Sequence, residues 1–213
     1  MTKTNFSIIY KIIIIIISGF AVLHGFFYNN FKFDIETAYY FTYQSNMLVI
    51  TYFILDIINI LKKKETFHPR FKGAVTTSIT LTFLIYHFLL SPTAEDYKGI
   101  FYIRNIILHY IVPIMTIFDY VIFDKKGNYK IVDPLIWLII PTIYFTFMLI
   151  RAKVGGPFAN GSYYPYFIVD IDKYGLKTVL RNIFFIALFF VFLGYIGYFV
   201  DRFFNKVFSK HNK

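Results

Sequence analysis

Side chains that could carry out catalysis occur inside stretches that are otherwise apolar. The stretch RNIILHYIVPIMTIFDYVIF contains His109, and the stretch beginning FTYQSNM contains Thr42. A Thr hydroxyl is a weak nucleophile at neutral pH and needs a base within hydrogen-bond reach. A His, whose pKa is ordinarily about 6.5, is a suitable base. The residue types therefore predict a catalytic pair of Thr42 and His109.

Four further polar residues could assist this pair. Ser45 and Asn46 follow Thr42 at spacings that place all three on one helix face. Amide, hydroxyl and guanidinium groups can donate to a developing oxyanion. Substrate or oxyanion binding is therefore predicted for Ser45, Asn46, Asn105 and Arg181. The alternative is that such groups only join neighbouring helices, as Ser, Thr and Asn often do in membranes.

The histidines allow a second kind of site. Three imidazoles and a water form a recognised catalytic zinc set, so His24, His87 and His109 are an alternative metal site, although no short ligand motif connects them. The chain has no Cys, which excludes thiolate ligands, disulfides and a Cys nucleophile. For the Thr/His chemistry we expect no cofactor.

The composition shows what kind of elements must position these residues. Of the 213 residues, 57% are hydrophobic and 23% are aromatic, which is more than a soluble globular domain contains. The net charge of +10 comes from Lys and Arg in short loops between apolar runs. There they set membrane topology and meet anionic lipid headgroups. We therefore expect a single integral membrane domain, residues 1–213, with membrane lipids and no nucleic acid as partners.

The apolar runs predict six membrane spans and an all-α six-helix bundle. Their approximate bounds are 7–28, 38–61, 73–90, 102–123, 132–150 and 176–200. Most of the 22 Lys and Arg residues fall on the side that carries both termini, which predicts cytoplasmic termini. Asp56 and Asp119 lie toward that side and are expected to pair with loop lysines such as those at 62–64 and 125. The abundance of Ile, Lys and Asn suggests a bacterial source, and hence a multi-pass protein of the plasma membrane.

This topology brings the candidate residues to one level of the membrane. A rise of about 1.5 Å per helical residue places His24, Thr42, His87 and His109, from four different spans, in the same outer layer. The other candidates at positions 46, 105 and 181 fall near it. The sequence thus predicts a polar cavity open to the outer face or outer leaflet, with the loop at 152–174 as a lid.

Three segments carry a resemblance to a known family. FTYQSNML, LHYIVPIMTIFDYVIF and YYPYFIVDIDKYG resemble segments of the bacterial "Pr-six-Pr" membrane proteins. These are similar to the androgen-induced and androgen-dependent TFPI-regulating family of six-helix intramembrane threonine hydrolases, which cleave fatty acid esters of hydroxy fatty acids. The resemblance implies that Thr42 and His109 are the catalytic residues.

Two functions follow as expectations. The first is an intramembrane lipid-ester hydrolase that uses Thr42 and His109 on a substrate from the outer leaflet. The alternative is a membrane protein that binds or transports a lipid or small solute in its polar layer without chemistry. A Thr42 hydroxyl within about 3.5 Å of a His109 nitrogen favours the first.

Overall fold

The computed structural model describes residues 2–28, 32–62, 66–91 and 98–211, with side chains as far as residue 207. Within these ranges the chain is 82% helical and contains no strand. Six helical stretches are long and apolar enough to cross a membrane. The predicted all-α, six-helix fold is confirmed, and the chain is a multi-pass membrane protein.

The six helices follow the predicted spans closely. They are α1 (Lys3–Phe27), α2 (Phe41–Leu61), α3 (Pro69–Leu90), α4 (Gly99–Phe123), α5 (Asp133–Val154) and α6 (Leu176–His211). Helix α1 begins earlier than predicted because the Thr2 side chain accepts a hydrogen bond from the Asn5 N–H at 3.2 Å, an N-cap contact. Helix α6 continues past residue 200 and extends beyond the length that a bilayer requires.

Helices α1 to α4 enclose the main apolar core, which lies beneath the candidate catalytic residues. Its fully buried members include Ile14 of α1, Phe53 of α2, Ile79 of α3 and Val112 of α4. Helices α5 and α6 lie at the side of this core and expose long apolar faces, such as Ile143, which is 62% exposed. Such faces match the hydrocarbon of a bilayer, where apolar side chains are stable.

A cluster of buried charges joins the helices near the side that carries both termini. Lys11 of α1 donates to Asp119 of α4 at 2.8 Å and lies 3.6 Å from Asp56 of α2. Lys72 of α3 donates to Asp119 and, at 2.7 Å, to Asp124. Buried charges are stable only when they are paired, so this cluster fixes four helices relative to one another.

Both carboxylates, Asp56 and Asp119, lie beside lysines, as predicted, but the lysines in the pairs described above are not the loop residues that the prediction named. Asp119 pairs with lysines, but they are Lys11 and Lys72, which both lie within helices. Of the loop lysines named in the prediction, positions 63 and 64 lie outside the described residues.

A long ordered segment, residues 155–175, connects α5 to α6 and lies over the end of the bundle opposite the termini. The Arg151 guanidinium donates to the Tyr163 carbonyl at 3.1 Å and lies 4.0 Å from the centre of the Phe158 ring. Asn182 of α6 donates to the Ile168 carbonyl at 2.8 Å. These contacts hold the segment, called the lid below, against the candidate site.

Candidate active site

Thr42 and His109 meet at the end of the bundle that the lid covers. Thr42 is the second residue of α2, and its Oγ1 lies 3.2 Å from Nε2 of His109 on α4. Their exposed fractions are only 7% and 8%. Two residues that are 67 positions apart in the sequence are thus within hydrogen-bond distance, in a place largely shielded from solvent.

A main-chain carbonyl orients the His109 ring. Its Nδ1 lies 3.0 Å from the carbonyl oxygen of Asn105, one helical turn earlier. Because a carbonyl only accepts hydrogen bonds, Nδ1 carries the hydrogen and Nε2 presents a lone pair. The Thr42 hydroxyl therefore donates to Nε2. This is the protonation pattern that a general base requires.

The helices around His109 depart from regular α geometry. Residues Ile107–Ile111 form a π-helical turn, in which the Val112 N–H donates to the Ile107 carbonyl. Pro113 follows this turn and, lacking an N–H, cannot continue the regular hydrogen-bond pattern. Such wide turns often occur at functional sites, where they re-aim side chains.

A second π-helical turn lies opposite, in α3, at Tyr86–Leu90. The Tyr86 ring stacks on His109 with ring centroids 3.8 Å apart and an interplanar angle of 23°. The Tyr86 hydroxyl accepts a hydrogen bond from the Asn105 side chain. Stacking on one face and a carbonyl at Nδ1 together restrict the imidazole to one orientation.

A hydroxyl of the lid, that of Tyr166, lies beside Thr42. The Thr42 N–H donates to the Tyr166 hydroxyl oxygen at 3.3 Å, and that oxygen lies 3.4 Å from Thr42 Oγ1. Burial of the Tyr166 hydroxyl raises its pKa, although hydrogen bonds from α2 oppose the rise. The phenol therefore stays protonated and can donate to negative charge that develops beside Thr42.

A cavity of about 550 Å³ opens next to the pair. It is called the polar cavity below because charged and hydroxyl-bearing side chains line it beside aromatic ones. Thr42, His109 and Asn105 line its inner end, and Arg104 and Glu36 line it farther out. The Arg104 guanidinium is held above the Phe101 ring at 5.1 Å. A cavity of this size and polarity has room for a substrate and for the water that hydrolysis consumes.

Ser45 and Asn46 lie beside the pair, but their hydrogen-bond donors are in use. The Asn46 side-chain amide donates to the Thr42 carbonyl at 2.8 Å and to the Leu108 carbonyl at 3.2 Å. The Ser45 hydroxyl donates to the Thr42 carbonyl at 3.1 Å and lies 2.8 Å from the Thr82 hydroxyl. Both residues hold the first turn of α2 against its neighbours. Neither has a free hydrogen to offer an oxyanion.

The remaining two predicted binding residues differ in position. Asn105 lines the polar cavity, and its carbonyl rather than its amide contacts His109. Arg181 is exposed near the start of α6 and lines neither this cavity nor the smaller one described below. A single-sequence depth estimate gave its level in the membrane but not the direction in which its side chain points.

The three histidines of the alternative metal site have separate partners. His24 Nδ1 lies 3.4 Å from the Arg104 guanidinium, and His87 Nδ1 lies 3.2 Å from the Tyr110 hydroxyl. His109 contacts Thr42. Among the residues with described positions, no group of three or more His, Cys, Asp or Glu side chains could hold a metal ion.

Sequence reasoning missed three residues of the site. Tyr86 immediately precedes His87, which was predicted as a possible metal ligand, and only the π-helical turn in α3 places the Tyr86 ring on His109. Arg104, the first residue of the RNIILHYIVPIMTIFDYVIF stretch, was not among the predicted binding residues. Tyr166 lies in the YYPYF stretch of the predicted lid, and this density of tyrosines was the available signal.

Comparison with known proteins adds no relative from which a function could be transferred. No protein-family model, curated protein or solved structure matches the chain. The geometry at Thr42 and His109 is thus what supports a functional proposal.

Proposed function

We propose that this protein is an intramembrane ester hydrolase in which Thr42 is the nucleophile and His109 the general base. The observation that carries the proposal is the 3.2 Å contact from Thr42 Oγ1 to His109 Nε2, with Nδ1 held by the Asn105 carbonyl. A nucleophile, a base and a group that orients the base form the arrangement common to enzymes with covalent acyl intermediates. Here the orienting group is a main-chain carbonyl instead of a carboxylate.

The reaction proceeds in two halves. His109 Nε2 takes the Thr42 proton as Oγ1 bonds to the ester carbonyl carbon, and the carbonyl oxygen becomes an oxyanion. The intermediate then expels the alcohol oxygen, which receives the proton from Nε2 and leaves an acyl group on Thr42. In the second half a water gives its proton to Nε2 and attacks this acyl group, and the released Thr42 oxygen takes the proton back.

Tyr166 is the proposed donor to the oxyanion. Its hydroxyl lies 3.4 Å from Thr42 Oγ1 and is presented by the lid. Removal of one such donor commonly costs about 10²–10³ in kcat. In this proposal the lid therefore has two roles: it supplies a catalytic group and it shields the pair from solvent.

The substrate is proposed to be an ester that enters from the outer side of the plasma membrane. The polar cavity lies at the end of the bundle opposite the termini, and the distribution of Lys and Arg assigns the termini to the cytoplasm. The resemblance to intramembrane threonine hydrolases points to the same two residues and to lipid esters. A bacterial source, as the composition suggests, would make the outer leaflet of the plasma membrane the site of action.

Labelling with a small fluorophosphonate tests the proposal, because this probe forms a covalent adduct with an activated hydroxyl. Membranes that contain the intact protein should be labelled, whereas Thr42→Ala and His109→Ala should not be. Thr42→Ser keeps a hydroxyl and should still react. Thr116→Ala is the matched control, since Thr116 is fully buried in α4 and donates only to the Val112 carbonyl of its own helix.

A second candidate function is binding without chemistry, and the size of the polar cavity favours it. About 550 Å³ is within the range of small-molecule sites, and Arg104 places a cation there. Labelling that persists in both Thr42→Ala and His109→Ala, or that never occurs in the unaltered protein, would reject the hydrolase and leave this alternative.

A further inference from the structure

A smaller, apolar cavity reaches the proposed nucleophile from another side. Thr42 and Tyr166 line both this cavity and the polar one, whereas His109 lines the polar cavity and not the apolar one. The other side chains that line the apolar cavity are nearly all hydrocarbon or aromatic, and they come mainly from α3, α5, α6 and the lid. Thr42 therefore lies where the two cavities meet.

The apolar cavity extends into the seam between α5 and α6. Toward the termini these helices are in close contact, because a Cβ added at Gly194 of α6 would lie 2.9 Å from the Pro134 Cβ of α5. Toward the lid both helices contribute to the hydrophobic cluster around Met148. Between these contacts the cavity is lined by Phe145 of α5 and Ile186 of α6, which are both partly exposed. The seam thus has an opening at this level, called the α5–α6 gap below.

The depth of the α5–α6 gap shows what it faces. Phe145 lies nine residues before the last residue of α5, and Ile186 lies ten residues after the first residue of α6. At about 1.5 Å per helical residue, both lie roughly 14–15 Å inside the outer ends of their helices. The hydrocarbon core of a bilayer is about 30 Å thick, and the nearby side chains of Ile143 and Leu188 are apolar and exposed. The gap therefore faces lipid acyl chains rather than water.

The direction of proton transfer assigns one part of an ester to this gap. In the proposed reaction His109 returns its proton to the oxygen of the departing alcohol, so that oxygen lies toward His109 and the polar cavity. The acyl chain extends from the carbonyl carbon on the other side, where the apolar cavity lies. We propose that the α5–α6 gap is a lateral portal through which the acyl chain of a membrane lipid ester reaches Thr42 from the bilayer. This inference rests on the proposed hydrolase function and specifies the path of its substrate.

A lateral route is favourable for the substrate and requires little movement of the protein. The acyl chain of a membrane lipid already lies in hydrocarbon, and transfer of each of its methylene groups into water is unfavourable. Through the gap the chain stays in apolar surroundings as far as Thr42. The lid can also stay in place, because Arg151 keeps its contacts with Phe158 and Tyr163 during entry from the side.

Two esters that reach the site by different routes test the portal. The full-length protein is reconstituted into phosphatidylcholine vesicles, with Thr42→Ala as the blank for each ester. The first ester, 4-methylumbelliferyl palmitate, is held in the bilayer by its acyl chain and must use the portal. The second, p-nitrophenyl acetate, is soluble in water and can reach Thr42 through the polar cavity. A blocked portal should therefore slow hydrolysis of the palmitate and spare that of the acetate.

Tryptophan substitutions block the gap from either side. Ile186→Trp fills it from α6 and should lower kcat/KM for the palmitate by about 10- to 100-fold, because an added bulky group overfills the space that the chain occupies. The value for the acetate should not change. Phe145→Trp fills the gap from α5 and serves as a second variant, should the first fail to fold. Leu188→Trp is the matched control, since Leu188 lies on the exposed face of α6. It should leave both values unchanged.

The outcomes separate the two proposals. Unchanged hydrolysis of the palmitate in a folded Ile186→Trp or Phe145→Trp variant would overturn the portal and leave the hydrolase standing. A parallel loss of palmitate and acetate hydrolysis in both variants would also overturn it, because the gap would then not be a route for the acyl chain alone. Absence of fluorophosphonate labelling and of Thr42-dependent hydrolysis of both esters in the unaltered protein would instead overturn the hydrolase itself.

Discussion

The buried charge cluster predicts that Asp119→Asn destabilises the bundle. Asp119 is fully buried and accepts hydrogen bonds from Lys11 at 2.8 Å and from Lys72. The substitution keeps the size of the side chain and removes its charge. Lys72 would keep Asp124 at 2.7 Å as its counter-charge. Lys11 would keep only the Asp56 carboxylate, which lies farther away at 3.6 Å.

The magnitude follows from this loss of pairing. Loss of a buried hydrogen bond to a charged group typically costs about 1.5–3 kcal/mol, and both lysines, each at most 1% exposed, retain a second carboxylate. For a chain of this size about 1 kcal/mol corresponds to roughly 2–4 °C in Tm. Asp119→Asn should therefore lower Tm by roughly 3–12 °C.

Fluorescence offers a direct assay, because the chain has a single tryptophan. Trp137 is 4% exposed, so its emission should shift to longer wavelength when the detergent-solubilised protein unfolds on heating. Asp172→Asn is the matched control, since Asp172 is an exposed carboxylate of the lid and surface substitutions usually change stability by no more than about 0.5 kcal/mol. Equal Tm values for the two variants would refute the role assigned to the cluster.

Two further predictions concern the lid and the loop after α4. In the lid, Tyr166→Phe should lower kcat for the hydrolysis of p-nitrophenyl butyrate by about 10²–10³ while leaving the protein folded. Tyr163→Phe, at an exposed position of the lid, should have no effect on kcat. Equal rates for the two variants would remove Tyr166 from the mechanism. Burial lowers the pKa of Lys126 from 10.5 to about 8. The unfolded chain therefore binds more protons than the folded one between about pH 8 and pH 10.5, and this group makes stability rise with pH across that window. Thermal melts of Lys126→Met should show a smaller rise than the unaltered protein, and identical slopes would contradict the assignment.

Much of the fold could be predicted because hydropathy determines it. Helix α4, for example, contains an apolar run that only a membrane or a protein core can accommodate, and its predicted and observed ends agree within three residues at Phe123 and Gly99. The pairing of the charges could not be predicted in the same way. Which lysine reaches Asp119 depends on helix rotation, and α1 and α3 direct Lys11 and Lys72 inward.

The candidate site, like the fold, could be predicted only in part from the sequence. Thr42 and His109 could be paired from their membrane depth and their chemistry, and the structure brings them to 3.2 Å. The helix face shared by Ser45 and Asn46 was also predictable, whereas the use of the Asn46 amide depends on a carbonyl of a different helix, that of Leu108. Tyr86 reaches His109 through an irregular helical turn, which regular helix periodicity does not anticipate.

Mass spectrometry of the fluorophosphonate-treated protein tests the central claim most directly. If Thr42 is the nucleophile and His109 its base, the probe should be found on the peptide that contains Thr42, with fragment ions assigning the adduct to that residue. The adduct should be absent from His109→Ala. An adduct on another hydroxyl, such as Ser45 or Tyr166, or an equal yield at Thr42 in His109→Ala, would contradict the Thr42–His109 mechanism.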